Sequence, residues 1–279
     1  MEGKKRNTRI IAIASGKGGV GKTNISLNLG LALQELGERV LLLDADLGMA
    51  NVDILLGLTP RYNLSHVLKG RCKFAEALLE GPGGIDILPG TSGVEELVNI
   101  SSLEVMRLLD ASSQMEENYD IILLDVGAGI HQSVTNFIMA SDEVIIVLTP
   151  EPTSIMDAYS LIKILANRKF KNNMGLLINQ TSSRKEGNEV AVRMKKVIKE
   201  YLDLDIKILG YIPYDTYVRQ SVKEQTPFLI RYPKANAGEA IRDVASGMLN
   251  RVRENDSRGM KGFIFRLVGI FNRNPEGEN

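Results

Sequence analysis

Short apolar runs alternate with longer amphipathic stretches along this chain. The runs rich in Ile, Val and Leu are Arg9–Ser15, Arg39–Asp44, Ile85–Pro89, Asp120–Val126, Glu143–Thr149, Met174–Asn179 and Ile206–Ile212. Several lack the apolar–polar alternation of a half-exposed strand, as expected for strands covered on both faces. Between them, Thr23–Leu36, Val94–Met115, Ser154–Ala166, Glu189–Leu202 and Ala237–Arg253 read as helices. The pattern predicts an α/β fold, a mostly parallel sheet with helices on both faces. No repeat or Pro/Gly linker interrupts it before about Asn255, so residues 1–254 read as one domain.

A polar stretch from Glu254 to Gly259 separates this body from a different pattern, a C-terminal segment spanning 255–279. Met260, Phe263, Ile264, Leu267, Val268, Ile270 and Phe271 recur at helical spacing, predicting an amphipathic helix over about residues 258–273. Phe265 falls off the stripe, and no acidic residue occurs between Ser257 and Pro275. Such a basic amphipathic helix reads as an interfacial membrane anchor. Its membrane-facing residues would be Phe263, Ile264, Leu267, Val268 and Phe271. The alternative is a last helix docked on its own body.

Composition narrows the classes. Lys plus Arg and Asp plus Glu are 34 each, so no global field draws the chain to nucleic acid. The single cysteine, Cys72, allows no internal disulfide and fits a cytoplasmic setting. No run of about 18 uncharged apolar residues is present to span a bilayer. The polar, basic start of the chain does not form a signal-peptide core.

The first strand runs into Gly16-Lys17-Gly18-Gly19-Val20-Gly21-Lys22-Thr23-Asn24 and then a helix. This is the strand, GxxxxGK[ST], helix order of a phosphate-binding loop. The glycines let backbone N–H groups turn toward phosphate oxygens, and the helix start adds its positive end. Lys22 is placed to reach the β- and γ-phosphates and the Thr23 hydroxyl to ligate Mg²⁺. The bare pattern arises by chance in a chain this long on the order of one time in a hundred. Two further strands end in carboxylates, at Asp44-Ala45-Asp46 and at Asp125-Val126-Gly127-Ala128-Gly129. Strand ends of this kind border the ligand crevice of open α/β sheets. Aliphatics before Asp125 form a Walker B pattern with an indirect, water-mediated role at Mg²⁺. Each aspartate could instead be an ordinary helix cap. His66 and His131 have no partner at metal-ligand spacing.

Lys17, directly after the first glycine of the loop, is more than a simple phosphate loop needs. With it the sequence resembles the MinD/ParA class of ATPases, P-loop NTPases of the MinD/SIMIBI type. The resemblance implies ATP as nucleotide, a homodimer with ATP and a monomer with ADP. It also implies that Lys17 acts across the dimer on the partner's nucleotide; a contact to phosphate within one subunit is the simpler alternative. It makes the segment after Asp44 a first switch, with Asp46 orienting the attacking water and Asp44 either at the Mg²⁺ hydration shell or holding the switch. It makes Asp125–Gly129 a second switch, with Gly127 where many relatives carry proline. Asn179 and the main chain near Pro213 would hold adenine.

The runs Asp44–Asp53, Pro89–Val94 and Asp125–Gly129 look most like the FlhG branch, which regulates flagellar number and placement. That likeness implies a membrane-cycling ATPase at the inner face of the cell membrane. Its partners would be the flagellar SRP-type GTPase FlhF and C-ring proteins. The stimulatory DQAxxLR motif is missing from the roughly eight residues before the first strand, so direct stimulation of FlhF by such a peptide is not expected. A MinD-type division-site role is the nearest alternative. A ParA-type DNA-partitioning role is disfavoured by the balanced charge, and an iron–sulfur carrier by the lone cysteine.

Overall fold

The computed structural model describes residues 7–46, 52–90, 102–250 and 259–273. Eight strands form one sheet: β1 (Arg9–Ser15), β2 (Val40–Ala45), β3 (Leu79–Glu80), β4 (Asp86–Leu88), β5 (Ile121–Ala128), β6 (Glu143–Leu148), β7 (Asn173–Thr181) and β8 (Lys207–Pro213). Their order is β3-β4-β2-β5-β1-β6-β7-β8, with every pairing parallel except β3 with β4. The seven apolar runs are the seven parallel strands. The two-residue β3 was not foreseen, being too short to show a period.

Alternation along the strands divides the core into two layers. Ile10, Ala12, Leu41, Leu43, Ile122 and Leu124 face one side, while Ile11, Ile13, Leu42, Ile121 and Leu123 face the other. The second layer is covered by α1 (Lys22–Glu35) and α11 (Asn236–Leu249). The first is covered by α5 (Ser102–Asn118), α6 (Gln132–Ala140), α7 (Pro152–Asn167), α8 (Arg184–Leu202) and α12 (Gly259–Arg273). Short helices fill the connections: α2 (Val52–Leu56), α3 (Leu64–Leu68), α4 (Phe74–Ala77), α9 (Thr216–Lys223) and α10 (Phe228–Arg231). Helix α8 begins five residues before the expected Glu189, because the Ser183 hydroxyl accepts the Glu186 N–H at 3.2 Å and starts the helix there. The first part of the expected Val94–Met115 helix and the polar stretch 254–258 lie outside the described residues.

The C-terminal helix is docked. Met260, Phe263, Ile264, Leu267 and Phe271 are buried in the first layer, and Val268 is partly buried. Phe263 stacks on Phe137 of α6 with ring centroids 6.4 Å apart. Phe265, off the stripe, is 64% exposed. Arg266 donates to the Ala140 carbonyl at 2.7 Å and to Asp142 at 2.8 Å, and the Lys261 N–H donates to Glu116 at 2.8 Å. The apolar stripe thus faces α5, α6 and β1. No described helix is long and apolar enough to cross a membrane.

Candidate nucleotide site

The strand order brings the chemistry-bearing strand ends together. β2, β5 and β1 are neighbours, so Asp44, Asp125 and the glycine loop share one edge of the sheet, with Asp44 and Asp125 in register. A register shift between Ile13 and Ser15 marks where β1 leaves the ladder for the loop. Helix α1 then starts at Gly21, whose φ of 87° puts it in the left-handed region, with no side chain capping the helix. Its first N–H groups and its positive dipole end therefore face the loop. At the other end of the loop, Gly16 lies so close to the Asp157 backbone of α7 that any Cβ would overlap it.

Lys22 is 7% exposed and donates to Asp125 Oδ1 at 2.8 Å. Ser26, one turn further along α1, donates to the same oxygen at 2.8 Å. Asp125 is fully buried, and its Oδ2 takes no hydrogen bond among the described residues. A buried carboxylate oxygen left over beside the loop fits a hydrated cation held near Thr23, which supports Mg²⁺ at this place. Ser26 escaped the sequence reading; its spacing of four from Lys22 was the available signal.

Asp44 is buried and accepts the Asp46 N–H at 3.0 Å and the Val52 N–H at 3.2 Å. Both oxygens therefore clasp the two ends of the loop whose middle, 47–51, lies outside the described residues. Asp46 itself lies against Gly127 of β5. His131 is the N-cap residue of α6, and His66 exchanges hydrogen bonds with Asn63 at the start of α3.

Lys17 turns toward α7. It donates to Glu151 at 2.8 Å and to the Thr153 hydroxyl at 3.0 Å, both of its own chain and both absent from the sequence reading. Asn179 is buried, and its Nδ2 donates to the Val20 carbonyl at 2.8 Å, so β7 props the loop directly. Its neighbour Gln180 and the neighbour of Pro213, Tyr214, line an open cleft of about 500 Å³ with Thr149, Pro150, Glu151 and Glu186. The Ser182 backbone N–H, followed by its hydroxyl, holds the Glu186 carboxyl below the usual glutamate range.

Residues 11–228 match the CobQ/CobB/MinD/ParA nucleotide binding domain. The chain belongs to the MinD/ParA family of P-loop ATPases. It is 42% identical to the antiactivator FleN of Pseudomonas aeruginosa over 95% of each chain. It is 37% identical to the flagellum site-determining protein YlxH of Helicobacter pylori, over 95% of this chain and 91% of that one. Among solved structures it resembles the septum site-determining protein MinD of Pyrococcus horikoshii in complex with Mg-ADP. That likeness has a TM-score of 0.69 and 27% identity, over 90% of this chain and 99% of that one. As a member of this family the chain is a nucleotide-binding ATPase.

Proposed function

We propose that this protein is an ATP-dependent, dimerising and membrane-cycling ATPase that regulates flagellar number and placement. The observation that carries the reading is the convergence of Lys22, Asp125, Asp44 and Asp46 on one sheet edge beside a loop that holds a second lysine. Similarity along nearly the whole chain to the flagellum site-determining protein YlxH supports the flagellar role over division-site placement.

In the proposed cycle Lys22 leaves Asp125 for the β- and γ-phosphates, while the loop N–H groups and the start of α1 hold the remaining charge. Mg²⁺, held by Thr23 with Asp125 and Asp44 acting through water, would neutralise charge on the phosphate oxygens. Asp46 orients the attacking water. For Lys17 to act on a partner's nucleotide it must leave Glu151 and Thr153. Both members of its ion pair are well exposed, and such pairs contribute only about 0–1 kcal/mol, so this is a small barrier. Adenine would lie in the cleft beside Gln180 and Tyr214, with Asn179 and Pro213 behind it. The proposed partners are the GTPase FlhF and C-ring proteins.

Membrane cycling requires α12 to exchange its seat on the body for lipid. Both environments exclude water from Phe263, Ile264, Leu267 and Phe271, so the apolar transfer free energy is similar in each and does not decide between them. The polar terms decide. Arg266 bonds to Asp142 and Ala140 in the docked state, whereas each basic residue gains about 1 kcal/mol at an anionic surface. Two copies in a dimer add avidity.

This makes a prediction. With anionic vesicles, the wild type sediments with ATP and stays in solution with ADP. Arg266→Ala sediments in both states, because the docked helix has lost its polar tie, and a chain lacking 259–273 sediments in neither. Equal sedimentation of all three proteins regardless of nucleotide rules out the membrane reading. Co-precipitation with C-ring proteins rather than division inhibitors tests the flagellar assignment.

A further inference from the structure

The segment Asp125–Gly129, switch II in the proposed cycle, passes against Asp46 at Gly127. A Cβ placed on Gly127 would lie 3.3 Å from Asp46 Oδ1 and 3.5 Å from its Cγ, with Val134 Cγ2 at 3.4 Å on another side. Gly127 is in β5, its φ is not in the left-handed region, and its neighbour Ala128 pairs with Ser15. The backbone here therefore suits any residue, and conformational freedom is no reason for a glycine. What a side chain would disturb is the space between switch II and the carboxylate of switch I, together with a contact to α6.

The geometry points to Gly127 as a positioning residue of the ATPase: its bare Cα is the surface against which the Asp46 carboxylate is seated. This rests on the reading of Asp46 as the water-orienting group. The contact with Asp46 Oδ1, at 3.3 Å, is tight enough that a methyl group displaces the carboxylate oxygen by a few tenths of an ångström, whereas Cγ at 3.5 Å is an ordinary van der Waals neighbour. Misplacing a catalytic group by about 1 Å costs on the order of a hundredfold in rate, so a shift of this size should cost about three- to tenfold. Gly127 does not itself touch the phosphate loop through any described hydrogen bond, and nucleotide affinity should hold. Because switch II also carries the start of α6, where Val134 sits, the same substitution could instead act by pushing on that helix. The test has to separate the two routes.

Phosphate release and ATP affinity are measured for four full-length proteins: wild type, Gly127→Ala, Asp46→Ala and the double variant. Gly127→Ala should lower kcat about three- to tenfold with the ATP dissociation constant within about twofold of wild type. In the Asp46→Ala background, Gly127→Ala should lower the residual rate no further, because the group it displaces is gone. An unchanged kcat in the single variant overturns the proposal. So does an equal fold-loss in both backgrounds, which assigns the effect to Val134 and α6. If Asp46→Ala turns over like wild type, the assignment of Asp46 fails by itself, whatever Gly127→Ala does.

Discussion

Replacing Lys22 with alanine should lower the unfolding free energy of the nucleotide-free protein by about 3–5 kcal/mol, as well as abolish ATP binding. The reason is the burial of its partner. Asp125 is fully buried, Lys22 is 7% exposed, and the two meet at 2.8 Å. Without the ammonium, Asp125 keeps only the Ser26 hydroxyl among the described residues, and a charged carboxylate is left in the sheet with one neutral donor. Denaturant titration should show a lower midpoint with an unchanged slope. Adding Asp125→Asn to Lys22→Met removes both charges and should recover much of the loss, since the penalty comes from the unpaired ion rather than from missing attraction. A midpoint equal to wild type for Lys22→Ala would contradict the buried pair. Lys22 is thus a structural cation of the fold as well as the proposed phosphate ligand, and Mg²⁺ held near Thr23 would supply positive charge beside Asp125 if Lys22 moved to phosphate.

Asp46→Ala should reduce kcat for ATP hydrolysis by about 10²–10⁴-fold while leaving ATP binding close to wild type. Asp46 lies against Gly127 of β5, whereas the loop and Lys22 are the proposed phosphate contacts. On the proposed roles, its loss would remove water orientation and leave the phosphate contacts in place. With hydrolysis blocked and binding retained, the variant should accumulate as an ATP-bound dimer, visible by sedimentation or size-exclusion chromatography. Rapid turnover in Asp46→Ala would move the water-orienting role to another residue. A particle that remains a single subunit in ATP would remove the dimer from the cycle and, with it, the role of Lys17 across the interface.

Local pattern carried far into this fold because parallel strands covered on both faces are nearly continuous apolar runs. The seven expected runs agree with β1, β2 and β4–β8 to within about two residues at most ends. The same signal fails at β3, where two residues show no period, and in the one- or two-turn helices α2, α3, α4, α9 and α10. At α8 the signal was present as Ser183 followed by Glu186, but helical periodicity placed the start later.

Within the site, the loop Gly16–Thr23 was legible because its chemistry is contiguous. Its supports were not. Glu151 lies 134 residues from Lys17, Asp125 lies 103 from Lys22, and Asn179 lies 159 from Val20. No local spacing encodes such contacts.

The C-terminal helix draws the line between the two kinds of information most clearly. Periodicity and charge by themselves determined an amphipathic helix with Phe263, Ile264, Leu267 and Phe271 on one face, because 3.6 residues per turn is a local property. They could not determine what covers that face, since lipid and a protein groove reward the same stripe. Only the tertiary structure decided that α12 lies on α5, α6 and β1, with Phe263 on Phe137 and Arg266 on Asp142. Likewise two strand ends carrying three aspartates, and one glycine loop, were legible from local pattern. The order β2-β5-β1 decided that they share one edge of the sheet, because strand neighbours are set by long-range packing rather than by position along the chain.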